Sequence, residues 1–208
     1  MGNKQIRRNL LCLAVATAGL LTAACGSGES AEPAAHKKDM ADTESSFQLS
    51  TSGKLAAPSK ATDAYTYDTK LAPAGAELAV EVKSAGESST FVLTATGLQP
   101  NRGYGAHAHV AECGSNGDLA GGHFQHHVSP TPDKPNPKYN NPQNEIWLDL
   151  QTDAKGNGTS TATVDYLVTD SKRPKSVVIH AAKKTGTEGD MAGEAGDRIA
   201  CLTIPSHS

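Results

Sequence analysis

Glu145-Ile-Trp-Leu-Asp-Leu150, followed across two residues by Asp153-Ala-Lys-Gly-Asn-Gly158 and then Thr159-Ser-Thr-Ala-Thr-Val-Asp165, is the stretch that decides the fold. Its two flanks are short alternating segments, the pattern of half-buried strands. The Asp/Gly/Asn-rich piece between them is a strong hairpin signal. Working outward, segments of the same kind recur at 64–70, 76–82, 90–96 and 103–110 on one side and at 176–181 and 199–204 on the other. Each is rich in Val, Thr, Tyr or Ala and is bounded by turn residues. Residues 111–144 form a long, irregular, proline- and glycine-containing connection, and no convincing helix interrupts the series. Four strands, a long loop and four more strands predict an all-β, eight-stranded Greek-key β-barrel or sandwich with long loops. A connection of that length inside a compact domain is commonly functional.

Composition agrees and narrows the function classes. The chain of 208 residues is long enough for one domain with a real core. Apolar residues make up 37%, charged residues 20% and aromatics 4%, with 20 Gly and 11 Pro, which disfavours a polytopic membrane protein, a coiled coil and a collagen-like chain. A formal charge of −3 gives no general basic surface, so nucleic acid is not an expected partner. No repeat period is visible. No exposed apolar strand argues for a particular oligomeric state.

Residues 1–24 read as an export signal. Lys4, Arg7 and Arg8 form a basic start, and the uncharged run from Leu10 to Leu21 is too short for a comfortable bilayer span. Leu21-Thr22-Ala23-Ala24-Cys25 resembles a bacterial lipobox, with Thr22 where an aliphatic residue is usual. On this reading Cys25 becomes a lipidated N-terminus and anchors the protein to the outer face of the cell membrane. Ordinary cleavage and a freely secreted protein is the alternative. Residues 25–60, poor in aromatics and rich in Ser, Ala, Gly and charge, are expected to form a flexible stalk, and 61–205 the β domain. Without the signal, 16 basic side chains face 22 acidic ones. Export also sorts the cysteines: Cys12 leaves with the signal, Cys25 takes the lipid, and Cys113 and Cys201 remain to form one disulfide in an oxidising compartment. Two buried free thiols are the alternative.

The histidines carry the chemistry. His107 and His109 are separated by one residue on an expected strand, so both imidazoles leave the same face. His123 follows Gly121-Gly122 in the long connection, and His180 ends the Ser-Val-Val-Ile-His strand. Four neutral imidazoles on a rigid β scaffold suit Cu(II), which favours nitrogen in tetragonal geometry and, unlike zinc, exchanges single electrons. His126 and His127 are adjacent, and on an extended segment they point to opposite sides, so joining one ion requires a turn between them.

The segment from Gly97-Leu98 through Gly103-Tyr104-Gly105-Ala106-His107-Ala108-His109 resembles the fourth-strand signature of Cu,Zn superoxide dismutases. Gly121-Gly122-His123-Phe124 and Ala195-Gly196-Asp197-Arg198-Ile199-Ala200-Cys201 resemble two further family motifs, in the right order. The resemblance implies an immunoglobulin-like Greek-key barrel and a copper site made by His107, His109, His123 and His180. It implies a Cys113–Cys201 disulfide, Arg198 as anion guide, His123 as a proton source, and superoxide anion as substrate. The alternative for Arg198 is a rim charge paired with Asp197 or Glu194. The zinc pattern departs: the family's remaining zinc ligands fall on Thr131, Asn140 and Gln143, none of which replaces them. The expected cofactor is therefore copper without zinc. His126, His127, Asp133, Glu145 and Asp149 are the residues a shifted loop would bring in, and Glu145 is also placed to orient a ligand imidazole. Lys183, Lys184 and Arg198 are expected to steer anions, and Trp147 and Tyr104 to pack the core or the barrel ends. Copper storage without turnover, or a degenerate domain, are the competing readings.

Overall fold

The structure, a computed structural model, describes residues 47–206 apart from Asp133. The expected signal, Cys25 and the first part of the expected stalk lie outside the described residues. Among the described residues ten strands follow one another: β1 (Phe47–Lys54), β2 (Ala64–Thr66), β3 (Glu77–Ala85), β4 (Ser88–Thr96), β5 (Gly103–Tyr104), β6 (Ala106–His109), β7 (Leu150–Gln151), β8 (Gly158–Val164), β9 (Ser176–His180) and β10 (Arg198–Thr203). Single 3-10 turns occur at Gly117–Ala120 and Gly189–Met191. Among the described residues no helix is long and apolar enough to cross a membrane.

Eight of the strands form two antiparallel four-stranded sheets, in the orders β1-β3-β4-β8 and β2-β10-β9-β6, while β5 and β7 pair separately. Period-two alternation sets the core. Leu78, Val80 and Val82 of β3 and Phe91, Leu93 and Ala95 of β4 are buried from one sheet. Ala106, Ala108, Val177, Ile179 and Leu202 meet them from the other in one continuous cluster. Burying each large aliphatic or aromatic side chain contributes roughly 1.5–3 kcal/mol. Tyr104 joins this core as expected, its hydroxyl donating to the Leu71 carbonyl at 2.8 Å.

Three details differ from the sequence reading. β1 lies inside residues 25–60, the expected stalk, and pairs along its whole length with β3. Only Leu49 of that strand is fully buried, so its pairing rests on the ladder of backbone hydrogen bonds more than on apolar burial. The 103–110 strand is broken at Gly105, with β5 turning to β7 and β6 to β9. The 153–158 turn forms, its Asp153 carboxylate accepting from the Lys155 and Asn157 amides at 2.8 Å. Yet β7 and β8 do not make a hairpin ladder, because β8 pairs with β4 in the other sheet. The turn is a corner between sheets.

Candidate metal centre

Strand alternation places His107 and His109 on the side of β6 opposite the buried Ala106 and Ala108. His107 is opposite Val178 in the β6–β9 ladder, and His180 on the same face of β9 is opposite Arg198 of β10. Three imidazoles and a guanidinium thus project from the outer face of one sheet. His123 arrives from the long connection. Its segment lies along β6, with the Val110 amide donating to the Gly122 carbonyl and the Phe124 amide to the Ala108 carbonyl. Gly121 makes this approach feasible: its φ is +71°, and a side chain there would press on Val110.

One nitrogen from each of His107, His109, His123 and His180 lies within 4.8 Å of the other three. The other ring nitrogen of each is already engaged. His109 Nδ1 donates to the Gly121 carbonyl and His180 Nδ1 to the Gly196 carbonyl, both at 3.0 Å. His107 Nε2 is 2.7 Å from the Thr185 hydroxyl, and His123 Nδ1 is 2.9 Å from a Glu145 carboxylate oxygen. What remains is His107 Nδ1, His109 Nε2 and His180 Nε2, all buried and without a hydrogen-bond partner, together with His123 Nε2. Orphaned buried polar atoms are costly and uncommon. Three of them converging on one point, as neutral imidazole acceptors, fit a metal ion with nitrogen preference, and copper fits that donor set.

Burial holds the His107 and His109 imidazoles well below the usual histidine range, and neighbouring histidines add to the effect. Burial likewise brings His180 down to about 4. In the metal-free protein these rings are neutral when folded and take up protons on unfolding below about pH 6.5. Their contribution to stability is therefore fully present above that pH and is lost as pH falls toward 4. The unfolding free energy of metal-free protein should fall steadily between pH 7 and pH 4.5, by at most ~1.4 kcal/mol per pH unit for each ring, and the urea midpoint should fall with it. A midpoint independent of pH over that window would contradict the arrangement.

Glu145 has no exposed surface and is the acceptor hub of the site. One of its oxygens takes His123 Nδ1–H and the Trp147 indole N–H at 2.9 and 2.7 Å. The other takes the Gln125 and Asn140 amides at 2.8 and 2.9 Å. Burial pushes its carboxyl up, but the His123, Gln125 and Trp147 hydrogen bonds outweigh it and hold the group below its usual value. Asn140, which stands at a position where the family pattern has a zinc ligand, is thus a donor to this carboxylate. Trp147, expected as a packing residue, lies against the His107 ring with centroids 5.7 Å apart and supplies this hydrogen bond as well.

Arg198 donates to the Gly117 carbonyl at 2.8 Å, and a side chain at Gly117 would collide with it. Among the described residues neither Asp197 nor Glu194 pairs with it, so the rim-pair alternative does not hold. Cys113 and Cys201 are joined in a disulfide, not left as thiols. A cavity of about 650 Å³ opens onto the site, lined by His123, His180 and Arg198 at the metal end and by Lys172. Lys183 and Lys184, expected to steer anions, are exposed and do not line it; Lys172 does.

His126 and His127 do not join the cluster. The His126 ring stacks on Tyr166 with centroids 4.2 Å apart, and Lys172 Nζ donates to its carbonyl. Among the described residues the only cluster that could hold a metal ion is the four histidines. Sequence reasoning had no signal for Gln125, Asn140 or Thr185 as parts of the site, since they reach it from irregular connections, the first two from 111–144 and Thr185 from 181–197.

A sequence profile described as copper/zinc superoxide dismutase matches residues 76–204. Among solved structures, the Cu/Zn superoxide dismutase from Brucella abortus is 16% identical, with 75% of this chain and 99% of that chain covered and a TM-score of 0.43. Two variants of a SOD-like protein from Bacillus subtilis, a double mutant and a single mutant, are 22% and 19% identical, each with 61% of this chain and 88% of that chain covered and a TM-score of 0.43. A comparison with curated proteins finds no match.

Proposed function

The chain belongs to the copper/zinc superoxide dismutase family, and from that premise we propose that it is a copper-dependent superoxide dismutase, converting two superoxide anions and two protons to oxygen and hydrogen peroxide. The observation that carries this reading is the convergence of His107 Nδ1 and the Nε2 atoms of His109, His123 and His180, with the Arg198 guanidinium lining the same cavity as His123 and His180. When bound by those nitrogens, copper supplies one-electron exchange with superoxide in alternating directions.

The chain's own groups account for the rest. Arg198 holds a fixed positive charge at the cavity end, with donors suited to a small anion. Its hydrogen bond to Gly117 fixes that charge in place. Lys172, at the same cavity, adds to local attraction in a protein that is acidic overall. His107 and His109 are fully buried, whereas His123 and His180 line the cavity; of these two only His123 has its other ring nitrogen against a carboxylate, which makes His123 Nε2 the imidazole nitrogen from which a proton reaches a bound anion. Glu145, ionised beside Nδ1, stabilises the positive charge that the ring acquires when Nε2 holds that proton.

Copper alone, without zinc, is the reading we favour for this member. The His123 nitrogen that faces away from the cluster is committed to Glu145, and Asn140 donates to the same carboxylate. A carboxylate thus stands where a second metal would have to bind. We also propose export and attachment through Cys25; the basic start, the apolar run and the lipobox-like 21–25 segment support it, and a disulfide suits an oxidising compartment.

Purified protein loaded with copper should consume superoxide, with EDTA present to silence unbound copper, far faster than the metal-free protein does. Copper bound at one per chain with no such gain would favour storage instead. Arg198→Ala should keep its copper, lose about 10- to 100-fold in rate and lose much of the salt dependence of that rate. An unchanged rate would remove Arg198 from the assignment.

A further inference from the structure

The four ligand rings are held in three different ways. His109 and His180 are fixed by backbone carbonyls and His123 by a carboxylate. His107 alone is fixed by a hydroxyl, which by itself would be ambiguous, since a hydroxyl both donates and accepts. The ambiguity is removed one bond further out. Thr185 Oγ1 lies 2.6 Å from Asp149 Oδ1, and the Thr185 amide donates to Asp149 Oδ2 at 2.8 Å. The Ala106 amide donates to Asp149 Oδ1 as well, at 3.1 Å. With backbone amides donating to both of its oxygens, Asp149 acts as the acceptor here, and the Thr185 hydroxyl proton is directed to it. The lone pairs of Oγ1 then face His107, which must donate from Nε2.

We propose that Thr185 and Asp149 are positioning residues that lock His107 in the Nε2–H tautomer and so present Nδ1, the atom left buried and unpartnered, to the metal. The inference rests on the copper reading for its purpose but not for its geometry, which belongs to the metal-free protein. It also gives the 145–149 segment a common task. Ile146 and Leu148 are bonded to β6 through the Ala108 amide and the Ala106 carbonyl and are buried in the core. Glu145, Trp147 and Asp149 alternate with them on the side of the histidines. Glu145 orients His123 directly, and Asp149 orients His107 through Thr185. Thr185 itself is buried, in the 181–197 connection that also supplies the Gly196 carbonyl to His180. One short extended segment and one loop therefore set three of the four rings.

The tautomer is read directly by long-range proton–nitrogen NMR of uniformly ¹⁵N-labelled, metal-free protein. His107 should be protonated at Nε2, and a proton on Nδ1 in the wild type overturns the proposal whatever the variants do. Thr185→Val, nearly isosteric but without an acceptor, should release the ring to a mixture of tautomers. It should weaken copper binding about 10- to 100-fold, the usual effect of removing a ligand's hydrogen-bond partner, and alter the Cu(II) electron paramagnetic resonance spectrum. Thr185→Ser should restore all three readouts. If Thr185→Val only lowers thermal stability, with tautomer, affinity and spectrum unchanged, Thr185 is a packing residue and the proposal fails. Failure of the wild type to bind copper would instead sink the functional reading while leaving the tautomer test standing.

Discussion

Replacing Glu145 with alanine should cost about 3–5 kcal/mol of stability and weaken copper binding about 10- to 100-fold. The size follows from what the substitution strands. Four donors, on His123, Trp147, Gln125 and Asn140, converge on this one carboxylate, which has no exposed surface. Each buried donor left without a partner costs about 1–3 kcal/mol, part of which is recovered if water enters the vacated space. Metal affinity falls for a separate reason: His123 loses the acceptor that keeps its proton on Nδ1 and its Nε2 toward the other three rings. Glu145→Gln, of similar shape, should lose less stability but still disturb the site, because its amide N–H₂ must face at least one donor. Equilibrium unfolding and copper competition titrations on both variants check these outcomes. An alanine variant with wild-type stability and affinity would mean that the hub does not hold the ring.

The second large effect concerns Cys113 and Cys201. Their bridge closes a separation of 88 residues, for which the chain-entropy treatment gives about 4–5 kcal/mol of stabilisation. Both sulfurs lie beside the site's architecture: Cys201 is on β10, three residues from Arg198, and Cys113 precedes the Gly117 carbonyl that the arginine engages. The Tyr67 hydroxyl donates to the Gly114 carbonyl at 2.9 Å and braces the same loop. Cys113→Ser with Cys201→Ser should therefore lower the urea midpoint strongly and free the 111–120 segment to move. Hydrogen exchange should rise most at Gly117–Ala120. Copper affinity should fall less than the rate, because the carbonyls and carboxylate that hold the imidazoles lie outside the 111–120 segment, whereas the Gly117 carbonyl that holds Arg198 lies within it. Equal losses in both would place the effect in the histidine cluster.

The pattern of success in the sequence follows from the range of the forces involved. His107 and His109 were legible because strand alternation alone puts them on one face. His123, His180 and Arg198 were legible through motifs whose glycines and cysteine mark where backbone passes close to the site. β1 was missed because Phe47-Gln-Leu-Ser-Thr-Ser-Gly-Lys buries only Leu49 fully, and an edge strand with so little apolar content looks like linker. The break at Gly105 and the corner at 153–158 were hidden because the choice between one continuous strand and two sheets is made by distant partners, β7 and β4. That Glu145 orients a ligand imidazole was anticipated from position, though not that the ring is His123. Gln125, Asn140, Trp147 and the Thr185–Asp149 pair could not be, since their partners lie 2 to 78 residues away on connections without a repeating pattern. Packing residues announce themselves by period; hydrogen-bond partners of a site do not.

The arrangement stands or falls on whether those rings share one ion. Copper titration of the purified protein, followed by electron paramagnetic resonance, tests it most directly. The expected result is saturation at one copper per chain, with a nitrogen-rich tetragonal Cu(II) signal that changes when His109 is replaced by alanine. Binding that stays well below one copper per chain, or a signal that His109→Ala leaves untouched, would contradict it.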